Sequence, residues 1–268
     1  MAHASIPESE HLAARALRVM SYNVHGCVGS DFRLDPQRVA RVIADCAPDV
    51  VALQELDVER SRSGRIDQPR TLAEQLGMQL AFCSARDCDG GRYGNAVLSR
   101  HPIEVMRAAC LPVSEAKRRE QRAVQWVRVL APELPLNVVN THLGLDHGER
   151  MQHAAELLGC DWVHEARALG PTVLCGDFNA GPRSEVYRKL TSELRDAQRL
   201  VSGRGPRGTF PALFPLLRID HVLVSPELRV QHWRVASGWR AKLASDHLPL
   251  VVDLRLAGTD EERDRNGP

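Results

Sequence analysis

Residues 49–56 read DVVALQEL, an unbroken apolar run from Val50 to Leu53 followed at once by Gln54 and Glu55. A short, β-branched run bounded by polar residues is the pattern of a buried strand. Its last residues therefore set an amide and a carboxylate at a strand end. Similar runs recur on both sides of it, at Leu17 to Val24, Asn95 to Ser99, Ala123 to Leu130, Leu136 to Thr141, Thr172 to Cys175, Ile219 to Val224 and Leu250 to Leu256. Helical patterns are fewer. Pro36 to Ala47 carries Val39, Val42 and Ile43 at helical spacing behind an Asp35 N-cap with Pro at the first helical position. A second helix is expected over His147 to Ala168, stopped by Gly170-Pro171. Strands and helices do not alternate one for one, so two packed sheets with helices outside fit better than a doubly wound sheet.

The chain has 268 residues, 43% apolar and 26% charged, with 35 Lys and Arg against 34 Asp and Glu. These values describe a folded globular protein and exclude a disordered one. They also speak against a protein that holds nucleic acid chiefly by a basic excess. One domain over residues 17–257 is expected, with flexible polar ends at 1–16 and 258–268. No apolar run approaches the ~20 residues of a spanning helix and no secretory leader is evident, so the cytoplasm is expected. Seven cysteines with no CxxC pair suggest small buried thiols and no disulfide or zinc framework.

Chemistry gathers at the polar ends of the apolar runs: SYNVHG with Asn23, LQEL with Gln54 and Glu55, NTHL with Asn140 and His142, GDFN with Asp177 and Asn179, RIDH with Asp220 and His221, and SDH with Asp246 and His247. Singly, each has an ordinary reading. Glu55 alone is a strand entering solvent, GDFN alone is a turn, His142 alone is a core histidine, His221 is a structural residue, and SDH is a cap. Packing does not ask for all of them together. Half-buried acids need a cation or hydrogen bonds, and oxygen ligands without thiolates select a hard ion, Mg2+ or Mn2+.

In order and spacing these six motifs, with YGNAVLSR at 93–100, resemble the endonuclease/exonuclease/phosphatase superfamily of the pancreatic deoxyribonuclease type, in its compact bacterial branch. The resemblance spans roughly residues 17 to 256. It implies an α/β fold, a four-layer α/β/β/α sandwich of two mixed, largely antiparallel sheets, and a metal-dependent phosphoesterase. It also implies roles. Glu55 would be the principal metal ligand, with Asn23 and Asp246. Asp177 and Asn179 would align or activate the attacking water and hold a phosphate oxygen, and His142 would hydrogen-bond the phosphate. Asp220 would orient His247 at the phosphorus. A non-catalytic module that kept this fold would be expected to have lost one of these residues, and none is lost.

The substrate is expected to be a phosphate ester, read less directly from loops. Arg60, Arg62 and Arg65 follow Glu55, and Lys117, Arg118, Arg119 and Arg122 form a second basic run. Their ordinary reading is a solvated loop, but Arg122 resembles the family's acid-x-Arg element, which implies a phosphate contact. Trp239 is the aromatic expected by the pocket or packed under its loop. The arginines support a nucleic acid substrate, whereas few aromatics and a balanced charge oppose it. Residues 209–217, TFPALFPLL, are too apolar for an ordinary loop. Burial is the expectation; exposed, the loop would meet a membrane surface or a lipid-linked phosphodiester. The absence of coiled-coil or repeat patterns suggests a monomer.

Overall fold

Asp35 caps the first helix as its sequence suggests, accepting the Arg38 N–H at 2.8 Å ahead of α1 (Pro36–Cys46), which Ala47 ends in the left-handed region. In the computed structural model, which describes residues 16–113, 120–203 and 205–258, this helix lies with α2 (Gln68–Leu76) and α6 (Trp239–Ala244) against one sheet. That sheet has the order β11 (Leu228–Val235), β12 (Leu250–Leu256), β1 (Leu17–Asn23), β2 (Val50–Val58), β4 (Gly91–Ser99), β3 (Gln79–Cys88). The other runs β5 (Ile103–Cys110), β6 (Ala123–Val129), β7 (Leu136–His142), β8 (Thr172–Asp177), β10 (Asp220–Val224), β9 (Arg195–Asp196). Only β1–β2 and β7–β8 pair parallel; all other neighbours are antiparallel.

Alternation along the second sheet builds two cores. Val127, Val138, Val173, Cys175 and Val222 face the first sheet, whereas Trp126, Val139, Leu174 and Leu223 face α3 (His147–Leu157), α4 (Glu165–Ala168) and α5 (Glu185–Leu190). The molecule is thus a four-layer α/β/β/α sandwich of two mixed, largely antiparallel sheets, as expected. Among the described residues no helix is long and apolar enough to cross a membrane.

Several details differ from the sequence reading. The helix expected over 147–168 breaks at Gly159, whose backbone is extended, and resumes through a π-helical turn, Cys160–His164, that turns Trp162 and Val163 into the core. The cysteines are all unpaired, but Cys110 at the end of an edge strand and Cys160 on the helical layer are exposed. The edge strand β5 is largely exposed, which removes the apolar alternation that would announce it. The loop at 209–217 is the largest correction. Its base closes as a tight hairpin through Phe210 and Leu217, so its tip cannot fold inward, and Phe214 and Leu216 are 74% and 84% exposed with Leu213 and Leu217 beside them. Of the ends expected to be flexible, residues 1–15 and 259–268 lie outside the described residues, as do Lys117, Arg118 and Arg119.

Candidate active site

Strand register assembles the site at one edge of both sheets. In the parallel pair β1–β2, Asn23 stands opposite Gln54. In the second sheet His142, Asp177 and Asp220 form one row across β7, β8 and β10. Gly176 lets β7 and β8 approach, since at φ 142° a Cβ there would fall 1.8 Å from the Thr141 carbonyl oxygen. Glu55 needs a further device. The β2–β4 register slips between Leu53 and Leu56, and Glu55 sits in that bulge at φ 62°. Asn140 clamps the bulge from the other sheet, donating to the carbonyls of Leu53 and Ala96 at 3.0 Å each and accepting from Gln54 Nε2 at 2.8 Å. The amides Gln54 and Asn140, quoted above only as members of the motif set, are thus the bridge that registers one sheet on the other.

The Asn23 side-chain amide donates to Glu55 (2.8 Å) and to Asp177 (3.0 Å), drawing two carboxylates from different sheets together, while its oxygen accepts the His25 N–H. Asn179, at φ 47°, folds back so that its own N–H reaches Asp177 at 2.8 Å, and its side-chain Nδ2, which donates to the Leu143 carbonyl at 2.9 Å, lies 3.1 Å from Nε2 of His142. Arg122 is buried and donates to Nδ1 of His142 at 3.0 Å. Arginine has no acceptor, so that contact leaves the His142 ring proton on Nε2, which lies 3.5 Å from Asp177 and 4.0 Å from Glu55. Burial, reinforced by Arg122, holds His142 well below the usual histidine range, hence neutral.

His247 is the opposite case. Its Nδ1 meets Asp220 at 2.8 Å, its Nε2 lies 3.7 Å from Asp177, and Phe210 covers its ring. Burial opposes its charge, but Asp220, Asp177 and Asp246 outweigh burial and raise it to about 10. Burial and the neighbouring Asp220 push Asp177 up to about 7, against the pull of His247. Thr209 completes the arrangement by donating to the same Asp220 oxygen that faces His247. Nothing in a lone threonine before an apolar loop signals that role.

The remaining expected site residues lie further out. Asp246 is partly exposed, 3.7 Å from His25 and tied through Ser245 to the Asn23 carbonyl. It stands outside the two close clusters, Glu55–His142–Asp177 and Asp177–Asp220–His247. Trp239 opens α6 and is 72% exposed, so it does not pack under its loop. Arg122 touches His142, Glu120 and Tyr93. His221 is a buried structural residue: it bonds the Ala180 carbonyl at 2.8 Å, stacks on Phe178, and is lowered to about 3 by burial and Arg218.

Asp177 lies close to Glu55 on one side and to Asp220 on the other, among the described residues with only His247 as a charged partner, and the buried Oδ1 of Asp220 has no hydrogen-bond partner. Such a surplus of carboxylate oxygen fits a hard divalent cation. With its proton on Nε2, His142 faces these carboxylates as a donor to oxygen.

Comparison with known proteins shows the family and the fold. The model of the Endonuclease/Exonuclease/phosphatase family matches residues 20–247. An uncharacterized protein, YbhP, of Escherichia coli is 28% identical over 259 residues, covering 90% of this chain and 97% of its own. The structure of an endonuclease/exonuclease/phosphatase from Beutenbergia cavernae superposes with a TM-score of 0.77 at 29% identity, over 91% of this chain and 72% of that one. A mannosyl-6-phosphatase of Bacteroides thetaiotaomicron shares the fold at TM-score 0.68 and 21% identity, over 89% and 99% of the two chains.

Proposed function

Since the chain belongs to the endonuclease/exonuclease/phosphatase family, we propose that it is a divalent-metal-dependent phosphoesterase, cleaving a phosphodiester by in-line attack of water. One observation carries this reading: Asp177 and Asp220, buried side by side and short of positive charge, face Glu55, the Arg122-held His142 and the Asp220-held His247. Glu55, with Asp246, would hold Mg2+ or Mn2+, which when bound neutralises phosphate charge and acts as a Lewis acid; Asn23, whose oxygen accepts the His25 N–H, orients the Glu55 carboxylate through its amide N–H instead of ligating the ion. Asp177, raised to about 7, takes the proton of the attacking water. His247, whose charged form Asp220, Asp177 and Asp246 favour, stabilises negative charge gathering on the phosphoryl oxygens. The Nε2–H of His142 donates to a non-bridging oxygen, and Asn179 fixes the line of attack. Asp220 and Thr209 hold His247 in place. Seven unpaired thiols suit a cytoplasmic setting.

The test is hydrolysis of an aryl phosphodiester, an aryl monoester, plasmid, single-stranded RNA, phospholipid and inositol phosphates with Mg2+ or Mn2+, against EDTA. Metal-dependent turnover that disappears in Glu55→Ala and His247→Ala supports the reading. Undiminished turnover in either variant, or none in the parent, refutes it.

A second reading concerns what the ester is attached to. The exposed apolar tip of 213–217 is tied at its base to the catalytic centre, since Ala212 N–H donates to the Asp246 carbonyl and Thr209 and Phe210 touch Asp220 and His247. A greasy lip there favours esters carried on apolar groups or presented at a membrane surface over nucleic acid. Co-sedimentation with liposomes, lost in Phe214→Ser with Leu216→Ser, is its expected signature.

A further inference from the structure

The five most exposed large apolar side chains among the described residues are Phe32, Leu216, Phe214, Leu145 and Trp239, at 72–91%, and the next, Val105, stands at 59%. All five lie on links that meet at the catalytic edge. β1 and β7 end there, at Asn23 and His142, and Phe32 and Leu145 follow them on the way to α1 and α3. β10 and β12 start there, at Asp220 and just after His247, and the 209–217 hairpin and α6, which Trp239 opens, precede them. Hydrogen bonds tie the links together. Ser30 donates to the carbonyls of Lys242 and Ser245, Ala212 N–H to that of Asp246, and Leu248 N–H to that of Thr209. Across the row, Asn179 holds the Leu143 carbonyl two residues before Leu145. The apolar tips therefore stand around one mouth.

The unpaired charge beside these tips is positive. Residues 205–219 and 236–245 contain no acid. Of their four cations, Arg218 is taken by Asp196 and Arg240 by Asp45, while Arg207 and Lys242 make no ion pair among the described residues. Next to Phe32, Asp31 is held by Arg38 and Asp35 caps α1, whereas Arg33 is exposed and makes no ion pair among the described residues. Next to Leu145, Asp146 caps α3, Glu149 is buried, and Glu185 meets His147. The other acids of the mouth, Glu55 and Asp246, belong to the catalytic site itself.

We propose that this edge is a membrane-docking face, on which Phe32, Leu145, Trp239 and the hairpin tip enter the surface of an anionic lipid bilayer while Arg33, Arg207 and Lys242 meet its headgroups. Aromatic and aliphatic tips flanked by cations suit the boundary between headgroups and acyl chains. For its bearing on catalysis the inference rests on the reading that the hairpin favours esters presented at a membrane, but docking itself does not. A hairpin alone suits the apolar group of one substrate. Tips on four separate links are met together by an extended apolar phase, which turns the catalytic row toward the bilayer.

Of the four tryptophans, Trp126, Trp162 and Trp233 are buried, so Trp239 is the one whose emission reads the face. The full chain in EDTA, where no ester turns over, is titrated with vesicles of phosphatidylcholine, alone or mixed with phosphatidylglycerol. On the mixed vesicles tryptophan emission should shift to the blue and be quenched by lipids brominated on the acyl chain. Binding there should be at least ~10-fold tighter than to phosphatidylcholine alone. Phe32→Ser, a change outside the hairpin, should weaken it about 10-fold, and Arg33→Gln with Lys242→Gln should shrink the preference for the anionic vesicles. Unshifted and unquenched emission in the parent overturns the proposal even where the protein sediments with vesicles, since the hairpin alone would then account for binding. Equal affinity of the parent for the two vesicle types, or equal binding by Phe32→Ser and the parent, also overturns it. So do concentration-dependent dimers that Phe32→Ser dissolves in the absence of vesicle binding, which would assign the face to a second copy of the chain. If Phe32→Ser melts early, the emission of the parent decides. If the parent hydrolyses no ester, the phosphoesterase reading falls, while the vesicle titration still judges the face.

Discussion

Asp57 and Asp196 on one side, and Asp177 on the other, are equally withdrawn from water, yet the fold treats them differently. Asp57 is gripped by Arg60 and Arg62, and Asp196 by Arg218 with the Tyr187 hydroxyl at 2.5 Å. Asp177 has only the Asn23 amide, the Asn179 N–H and two imidazoles. A carboxylate whose work is structural is given a cation that cannot leave. One whose work is chemical is left with donors that permit an exchangeable ion and a movable proton.

The sharpest way to break this contrast is to neutralise each acid in turn. Asp177→Asn should lower kcat by roughly 100- to 10,000-fold, the range for loss of a general base, while leaving the melting temperature equal or higher, because an unfavourable buried charge is removed. Asp196→Asn strands the buried Arg218 and should cost about 3–5 kcal/mol in a denaturant titration, with any loss of kcat following unfolding. Similar destabilisation in both variants would erase the distinction.

Metal should separate the two classes next. In EDTA followed by excess Mg2+ or Mn2+, the parent and Asp57→Asn should both gain melting temperature, by about 2.7 kcal/mol of added stability at 100-fold excess over the dissociation constant. Glu55→Gln should gain little. An equal gain in all three would place the ion elsewhere.

What could be read in the residues follows from which physical constraints are local. The acids and histidines were legible because each ends an apolar run, and strand register then brings Asn23 beside Gln54 and His142 beside Asp177 and Asp220. The bulge that turns Glu55 toward them was not, since it depends on Asn140 from the other sheet. The arginines at 60 and 62 look alike in sequence; only packing against Asp57 and Asp89 buries one and presents the other. The loop at 209–217 misled because apolar content predicts burial, whereas a short hairpin anchored at both ends has no interior in which to place its tip. Thr209 shows the limit plainly, as its partner Asp220 is defined by the hairpin and not by spacing alone.

The pH dependence of stability sharpens the contrast at smaller amplitude. Asp177 is raised from 3.8 to about 7 in the metal-free fold. A folded value above the unfolded one means that its contribution is full below pH 4 and declines as the pH rises through 7. His221, lowered to about 3, works in the other direction, its contribution falling as the pH drops from 6.5 toward 3. His142, held well below the usual histidine range, acts in the same direction as His221. Melting curves in EDTA between pH 4 and 6.5 should therefore rise with pH, and rise more steeply in Asp177→Asn, which lacks the opposing contribution, than in the parent or Asp57→Asn. An equal slope in Asp177→Asn and Asp57→Asn would assign that opposing contribution to some other group.

The smallest effect belongs to a pair that resembles Asp57 and Arg62 on paper. Arg70 and Glu74 meet at 2.9 Å, one helical turn apart on α2, with both side chains mostly in water. The contact distance is much like that between Arg62 and Asp57. Solvent screens the exposed pair and hydrates either partner when the other is removed, so nothing is stranded. Arg70→Gln should leave the melting temperature, the metal response and turnover unchanged within measurement, whereas Asp57→Asn leaves two guanidinium groups, one of them buried, without their shared carboxylate. If Arg70→Gln destabilised the protein as Asp57→Asn does, distance rather than burial would govern these pairs, and the reading of Asp177 as an acid deliberately left without an arginine would lose its basis.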